Sequence, residues 1–581
     1  MPSPFSAKFY ARFRSLIVLL LVWQTATAGA QDISLKDTTG SVRCDGLTVR
    51  AVEIETQRPE FKGLLGWWRK LAHGIGLHHE TTSPKLVRRF VTLEPGEGCT
   101  EFRRSESERI LRAQPFLADA DVVANRVGDS VLVDVSTVDE MPVVAGGRLH
   151  AGALDALNLG TMNFLGAGAH VEGRWERGRV YRNGYGMRLG HQQVFGRPYE
   201  FMFDGIRHPI GEQYSVSLSH PFFTDLQRVA WHTGYRTSKD FSRLRRPDRT
   251  AFAEPLNHTV WNAGGVVRFG PPGKLGLLGA MIVGEHLFPM NELFEVDTIS
   301  GLLSPSSDSI RLFERYDATH LASVLGLRAL TFSRMRALDA LVAEQDMAIG
   351  TQIGAILGTQ PLRAPLLHRG FASVDVYSGQ RTRHSFTGVR AEVESRLDLT
   401  KRQWRHLIAS GRGAWYYKSS DRWTSEVSLE ASGGWRTIMP FQLELGEREG
   451  GVSGYARSLE AGAQRVVMRG EQRVHLGEFR RRAALGAAVF TDAGRVWAGD
   501  APYGVTTPIR ASVGVALLAA VPIQSQRTIR AEIAFPTARA LGARPELRFS
   551  IREPAHGFWI DPPRIRWARL SLVPEQIFSW P

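Results

Sequence analysis

The chain has very few cysteines. It contains two in 581 residues, Cys44 and Cys99. This excludes a disulfide-rich scaffold and a metal site built from several cysteines. The two thiols can form a disulfide in an oxidising compartment, or they can stay free and buried. A disulfide would close a long loop and stabilise the N-terminal part by about 4 kcal/mol in the chain-entropy treatment.

Beyond the N-terminus the sequence also lacks a long apolar run, and its mean hydropathy is −0.17. A membrane-spanning helix needs about 20 consecutive apolar residues, so a helical membrane domain is excluded. A membrane β-barrel remains compatible with this composition. Its strands alternate lipid-facing and lumen-facing residues, and their average hydropathy is therefore polar.

The sequence carries no recognisable enzyme signature: no Gly-x-Ser-x-Gly elbow, no phosphate-binding loop and no Cys/His constellation. One cluster, His73, His78, His79 and Glu80, has side chains that can bind Zn²⁺. However, adjacent histidines are not the i,i+4 pair of a zinc protease helix, and no further ligand set follows. We therefore expect no enzyme activity, no catalytic residue, no metal site and no cofactor.

The charge balance is basic, with 72 Lys and Arg against 58 Asp and Glu and a formal net charge of +14. Such a chain could bind nucleic acid, anionic lipid or acidic partners. The N-terminus helps to decide among these. Three basic residues precede the apolar run Leu16–Trp23, and Ala28-Gly29-Ala30 is typical of a cleavage site. We interpret residues 1–30 as a secretory signal peptide. Export makes nucleic acid an unsuitable partner.

Residues 31–140 have the pattern of a small α+β domain. The predicted order is strand, helix, helix, strand, strand. Its elements are a strand at Leu47–Glu55, a helical turn at Lys85–Phe90, a helix from Glu101 to about Gln114 capped by Thr100, and a hairpin of Asp121–Val127 with Val131–Val138.

Within this region, residues 61–77 place five apolar residues at helical spacing, with basic residues among them. The apolar residues are Leu64, Trp67, Trp68, Leu71 and Ile75. Such a helix could lie on a membrane surface or cover the mouth of a barrel. It could equally pack against its own domain. The sequence leaves both interpretations open.

From residue 141 onward, short alternating segments recur between polar turns. In Leu547–Arg552 the apolar residues fall on one face and the polar residues on the other. This pattern fits a strand between lipid and a polar lumen, and it also fits a soluble sandwich. We expect the first strand near Leu157–Gly166. The last strand is either Glu546–Glu553, followed by a tail, or the segment from Arg564 onward.

Two motifs suggest a family. They are Gly450-Gly451-Val452-Ser453-Gly454-Tyr455 and Phe490-Thr491-Asp492-Ala493-Gly494-Arg495-Val496-Trp497. Together with the N-terminal element order, they resemble the BamA/TamA-like outer-membrane assembly-factor superfamily, also called the bacterial surface antigen family, in a single-POTRA form. The resemblance implies a mainly β fold. Its parts are a signal peptide (1–30), a POTRA-like periplasmic domain (31–140) and a transmembrane antiparallel barrel of about 16 strands (141–581) in the outer membrane of a Gram-negative-type bacterium.

In that family, an arginine in a long external loop pairs with carboxylates inside the barrel. By position, Asp492 and Glu471 match the two carboxylates, while the arginine position holds Ser453. Serine can hydrogen-bond a carboxylate but cannot neutralise it. Arg448 or Arg457 could replace the arginine. The resemblance thus implies a loop-anchoring site made of Gly451, Ser453, Gly454, Tyr455, Glu471, Asp492 and Gly494.

The segment Met468-Arg469-Gly470-Glu471 is similar to the loop motif of the family. It lies too near Asp492 in sequence to belong to the same loop. We therefore do not take it as the loop motif.

The resemblance also implies a function. The POTRA-like domain would capture client polypeptides by strand addition, for insertion into the outer membrane or export across it through a seam between the first and last strands. Expected partners are outer-membrane lipids and client polypeptides, with the protein a monomer. The alternatives are an anion-favouring pore and a structural surface antigen without transport. The single domain and the missing loop arginine favour a specialised member.

Overall fold

The computed structural model describes residues 41–58, 81–141, 143–150, 153–177, 183–246, 251–296, 302–308, 313–360, 369–398, 401–446, 450–456, 458–480, 482–538, 540, 542–552 and 561–569. The predicted signal peptide, the predicted helix at 61–77 and the cluster at 73–80 lie outside these residues. No helix in the described part is both long and apolar enough to cross a membrane.

The N-terminal part is a four-stranded sheet with two helices. The elements are β1 (Asp45–Gln57), α1 (Pro84–Arg88), β2 (Gly98–Thr100), α2 (Glu101–Arg112), β3 (Leu117–Val127) and β4 (Ser130–Asp139). The sheet order is β2-β1-β4-β3, and β1 runs parallel to β4. The predicted elements lie at these positions, whereas β2 was not predicted.

Local chemistry explains where these N-terminal elements begin and turn. The Thr100 hydroxyl accepts a hydrogen bond from the Arg103 backbone N–H at 3.3 Å and so caps α2. Gly128 has a φ of +65°, which favours glycine at the turn of the β3–β4 hairpin. A disulfide joins Cys44 to Cys99, with the two Cα atoms 4.9 Å apart. It links the beginning of β1 to β2.

The remaining strands build a closed antiparallel barrel. Its first half contains β5 (Val143–His150), β6 (Ala153–Phe164), β7 (Ala169–Glu176), β8 (Gly184–His191), a 3-10 turn (Val194–Gly196), β9 (Glu200–His208), β10 (Gly211–His220), β11 (Val229–Arg245), β12 (Ala251–Phe269), β13 (Leu275–Pro289), β14 (Phe294–Val296), β15 (Leu303–Pro305) and β16 (Tyr316–Arg336).

The second half contains β17 (Glu344–Thr359), β18 (Arg369–Arg381), β19 (Ser385–Asp398), β20 (Gln403–Lys418), β21 (Trp423–Trp435), β22 (Leu443–Glu444), β23 (Ala461–Gly462), β24 (Gln464–Phe479), β25 (Ala483–Trp497), β26 (Arg510–Ala520), β27 (Thr528–Pro536) and β28 (Glu546–Arg552). A helix, α3 (Pro563–Ala568), follows the last strand.

Twenty strands close the barrel among the described residues, so the prediction of about 16 was wrong. Of the other short strands, β14 and β15 extend one edge beside β12, while β22 pairs with β23 in a separate two-stranded sheet. The segment 143–220 folds as six strands of 8 to 12 residues, β5 to β10. The predicted first strand, Leu157–Gly166, falls largely within the second barrel strand, because β5 precedes it.

The two faces of the barrel wall differ in chemistry. Along β16, Leu321, Leu325 and Leu327 are 58%, 40% and 67% exposed on the outer face. On the inner face of the same strand, His320 and Arg328 are almost fully buried. An apolar outer face with a polar inner face is typical of a membrane-spanning β-barrel.

The barrel interior is filled by packed side chains on the side where α3 lies. Residues from facing walls and from the β21–β24 connection form one apolar cluster with α3. Its buried members are Leu256, Leu287, Tyr316, Ala318, Ile408, Met439, Phe441, Leu443, Ile565 and Ala568. The last strand is therefore β28, the first of the two sequence interpretations, and the chain from Arg564 enters the interior as part of a helix.

The N-terminal domain lies against the short turns at one end of the barrel. The Arg112 guanidinium of α2 forms an ion pair with Asp346 at 2.8 Å. Arg109 donates a hydrogen bond to the Phe223 carbonyl at 2.6 Å, and the Ser525 hydroxyl donates to the Glu140 carboxylate at 2.8 Å. These contacts come from two turns and from the beginning of β17, at separate places around the ring. The domain thus lies across this end of the barrel.

Candidate functional site

A loop enters the barrel between β21 and β24. Its residues 450–455, here called the inner loop, are held by backbone N–H groups. The Ser453 N–H donates to the Asp492 carboxylate at 3.1 Å, and the Gly454 N–H donates to Glu546 at 2.9 Å. The side chains of Val452, Ser453 and Tyr455 are fully buried. Two strands, β25 and β28, therefore anchor the loop through carboxylates.

The cation beside Asp492 is Arg469. Its Nε and Nη2 atoms donate to the two Asp492 oxygens at 2.6 and 2.9 Å. Nη2 also lies 3.3 Å from the Ser453 hydroxyl oxygen, to which it donates. A bidentate guanidinium–carboxylate pair of this kind is strong and directional. Arg469 thus supplies the positive charge that serine at position 453 cannot supply.

The segment Met468–Glu471 lies on β24 and not in the inner loop, but we did not predict from the sequence that its Arg469 contacts the carboxylate that anchors the loop. Arg469 lies on β24 directly opposite Asp492 on β25 in the antiparallel register. The separation of 23 residues in sequence, which excluded this segment from the loop, is the length of a hairpin. Pairing the two alternating segments would have revealed this neighbour. The alternative arginines, at positions 448 and 457, lie outside the described residues.

Glycine is required where the inner loop meets the wall. A Cβ atom at Gly494 would lie 2.6 Å from Val452 Cγ2, so a larger residue would push the loop away. Gly454 has a φ of +80°, a conformation that most residues avoid. Gly451 lies in the same buried turn, and the Tyr455 hydroxyl donates to the Ala511 carbonyl at 3.1 Å.

Glu471 forms hydrogen bonds with arginines of the wall. It accepts from Arg530 at 3.0 Å and from Arg473 at 2.6 Å, within a network of charges on the wall. Glu546 provides the second carboxylate for the loop instead. The sequence offered one signal for this, since Glu546 alternates with the outward-facing Leu547 at the start of the last strand.

Many other interior charges form ion pairs. The pairs include Arg465–Glu430, Arg530–Glu532, Arg548–Glu546, Arg396–Glu285 and Arg390–Asp375. A charge in a confined interior is costly without such a partner or water. The arginines of the wall are thus largely compensated by carboxylates.

The seam of the ring, between β5 and β28, is short. Among the described residues it is paired at three positions: Leu149–Leu547, Arg148–Arg548 and Gly147–Phe549. Its neighbours are paired at eight positions (β5–β6) and seven positions (β27–β28). Each backbone hydrogen bond contributes about 1 kcal/mol net, so the seam is the weakest junction in this part of the wall.

In the N-terminal domain, β3 forms one edge of the sheet. It pairs with β4 on one side, and the sheet order places no described strand on the other. An edge strand presents backbone N–H and C=O groups that can pair with an added strand. The described residues contain no group of histidine, cysteine or acidic side chains that could hold a metal ion.

Comparison with known proteins gave matches in structure alone. No family model and no curated protein sequence matches the chain. BamA from Haemophilus ducreyi lacking POTRA domains 1–3 is 12% identical, with 87% of this chain and 85% of that chain covered and a TM-score of 0.37. CdiB from Escherichia coli is 9% identical, with 95% and 99% covered and a TM-score of 0.43.

The ferric citrate transporter FecA, in its unliganded form, is 11% identical, with 74% of each chain covered and a TM-score of 0.32. These TM-scores and identities are all low. The closed barrel is therefore established by the strand pairings of this chain, and its function has to be argued from its own geometry.

Proposed function

We propose that this protein is an outer-membrane β-barrel that handles client polypeptides. The N-terminal domain captures an extended client at the edge of β3, and the client passes to the barrel for insertion into the membrane or export across it. The observation that carries this proposal is the short seam between β5 and β28, paired at three positions. The apolar outer face of the wall supports the location.

A seam of this kind is useful for moving a polypeptide into a membrane. Opening it breaks few backbone hydrogen bonds, and the two freed strand edges can pair with a client strand. The backbone groups of the client would then be satisfied inside the bilayer, where unpaired groups are very costly. A passive pore needs no such junction.

The interior of the barrel also favours this function over the pore. On the side of α3 it is filled by an apolar cluster, and the inner loop occupies a second region. Many of the arginines that would select anions are paired with carboxylates. The N-terminal domain further covers the turn end of the barrel.

A cross-link across the seam tests the proposal. Gly147 and Phe549 lie directly opposite each other, and a Cβ atom at Gly147 would have ordinary contacts. The double variant Gly147→Cys/Phe549→Cys should form a disulfide that holds the seam closed. We expect cells that depend on it to lose client proteins from the outer-membrane or secreted fractions, as measured by quantitative mass spectrometry, and a reductant to restore them.

The matched control places the same cysteine in a bond that does not cross the seam. Ala531 lies opposite Phe549 on the other side of β28, so Ala531→Cys/Phe549→Cys joins two strands that should never separate. It should leave the client fractions unchanged. Equal loss in both variants would show that the seam is not involved.

Depletion of the protein supplies the reference for this assay. Loss of barrel proteins from the membrane would identify insertion as the activity, and loss of secreted proteins would identify export. An unchanged proteome after full depletion would contradict polypeptide handling altogether. Single-channel conductance would then test the pore.

A further inference from the structure

Residues 561–569, here called the tail segment, follow the last strand and lie inside the barrel. Two of its charged residues, Asp561 and Arg569, are only 5% and 3% exposed. Ile565 and Ala568 are fully buried in the apolar cluster of the interior. The segment thus brings both charge and apolar surface out of water, and the wall has to match both.

The wall contacts the backbone of the tail segment at its C-terminal end. Arg236 on β11 donates to the carbonyls of Arg566 and Arg569 at 3.2 and 3.0 Å. The His406 Nε2 atom lies 2.7 Å from the Ala568 carbonyl, which can only accept, so the ring donates. These are carbonyls at the end of α3, which have no partner within the helix. Donors at this end also match the helix dipole.

The wall also matches one cation and one anion of the segment. Arg569 donates to Glu392 at 2.7 Å and to the Ser410 hydroxyl at 2.8 Å. Asp561 accepts from Ser410 at 2.8 Å and pairs with Arg412 at 3.2 Å. The charges on the wall come from β19 and β20, two neighbouring strands.

A segment that only fills the barrel interior permanently would not need these charged contacts. A buried ion pair is often no more stabilising than apolar packing of the same volume, because desolvation offsets the attraction. Its advantage is the selection of one partner. The backbone donors, in contrast, suit any polypeptide in the same local conformation. The segment follows β28 in the chain and is not itself part of the barrel wall.

We propose that a polypeptide-binding site lies on the lumen wall and consists of Arg236, Glu392, His406, Ser410 and Arg412. The tail segment occupies this site in the resting protein. It exchanges there with a polypeptide segment that carries an arginine next to a small apolar residue. This inference rests on the proposed function in one respect: the exchanging polypeptide is a client. The site itself is tested without one.

The test uses the purified full-length protein in detergent micelles. The probe is a fluorescent peptide with the sequence of residues 561–569, and its binding is measured by anisotropy. In the wild type, the attached tail competes at an effective concentration on the order of millimolar. The variant Arg569→Gln weakens the attached tail and leaves the wall intact. We expect it to bind the probe at least tenfold more tightly than the wild type does.

Two controls assign binding to the proposed site. Adding Glu392→Gln to the Arg569→Gln variant should weaken probe binding at least tenfold. A probe peptide carrying Arg569→Glu should not bind to either protein. Equal affinity of the wild type and the Arg569→Gln variant, or equal binding of both peptides, would overturn the proposal.

Loss of the fold is checked by the heat resistance of each variant on semi-native gels. The second variant, Arg569→Lys, keeps the charge and loses the bidentate geometry of arginine. It should fold and bind the probe with intermediate affinity. The assay contains no client. The two proposals can therefore fail separately. A protein with no detectable clients in cells could still bind the probe. Conversely, the seam could open in a protein whose lumen wall does not bind the probe.

Discussion

Two of the described segments that lie inside the barrel are held in opposite ways. The inner loop is bounded by strands on both sides and is anchored through its own N–H groups, at Ser453 and Gly454. The tail segment follows β28 and is held through wall side chains that donate to its carbonyls and match its charges. We expect the loop to stay in place and the tail segment to exchange, as proposed above.

The difference determines what a broken contact costs. When a contact of the inner loop is removed, the remaining partner stays buried without compensation, and the penalty falls on the whole barrel. When a contact of the tail segment is removed, the segment can move to water and its charges become hydrated. Removal of a contact is therefore expected to lower the global stability when it belongs to the inner loop. When it belongs to the tail segment, removal is expected to increase local hydrogen exchange.

The largest effect should come from Asp492→Asn. The amide cannot neutralise Arg469, whose guanidinium would remain inside the barrel beside the loop. Breaking a buried pair in this way costs about 3 kcal/mol. We expect a lower unfolding temperature on semi-native gels. The control is Asp421→Asn in an exposed turn, which should not change it. An unchanged temperature for Asp492→Asn would show that this pair does not hold the loop.

A smaller loss is expected from Gly454→Ala. The φ of +80° would strain alanine, and its Cβ atom would lie 3.0 Å from Pro536 Cδ. We expect a loss of about 1–2 kcal/mol in denaturant unfolding. Gly411→Ala is the matched control, since a Cβ atom there would meet nothing within 4 Å. Equal losses in the two variants would show that the effect comes from replacing a glycine as such, and not from the conformation of the inner loop.

Asp119 extends the comparison to a carboxylate outside the barrel. Burial, followed by the neighbouring Asp121 carboxylate, raises the pKa of Asp119 from 3.8 to about 6. Between these values the folded domain holds a proton that the unfolded chain has lost, so stability falls as the pH rises from about 4 to 6. At pH 7 the penalty is fully present.

Asp119→Asn should therefore stabilise the N-terminal domain at pH 7 by roughly 1 kcal/mol, since the side chain is partly exposed. The gain should shrink towards pH 4. Proteolysis within residues 81–141 at increasing urea concentrations, at pH 4.5 and pH 7, measures it. A gain that is the same at both pH values would rule out titration of this group as its cause.

The smallest global effect is expected from Ser410→Ala, which removes hydrogen bonds to both ends of the tail segment. The barrel should lose no more than about 0.5 kcal/mol, because the segment can leave. Hydrogen exchange in residues 561–569 should nevertheless rise at least tenfold. Ser428→Ala, at another buried serine on β21, should leave this exchange unchanged. A large global loss without faster local exchange would mean that the tail is fixed like the loop.

The sequence predicted the features that depend on local rules. The cap at Thr100, the turn at Gly128 and the alternation of Leu547–Arg552 follow from short-range chemistry, and each lies where it was expected. The number of strands does not follow from such rules. It came from the resemblance to a family, while the short strands between Val143 and His220 leave room for more strands than ten-residue segments would.

The interior contacts needed knowledge of strand neighbours. Arg469 and Asp492 become partners through the register of β24 and β25, and the sequence gives this register only if both segments are recognised as one hairpin. The place of α3 could not be predicted either. Its six residues are too few for a clear helical pattern, and what decides their position is a wall assembled from distant strands.

The position of the tail segment after β28 also has a consequence for biogenesis. Its binding wall does not exist until β11, β19 and β20 have come together, and the segment cannot settle before the strand that precedes it is in place. Seating of residues 561–569 is thus a late event in assembly. A label near the C-terminus that becomes protected from protease would distinguish finished molecules from those arrested earlier.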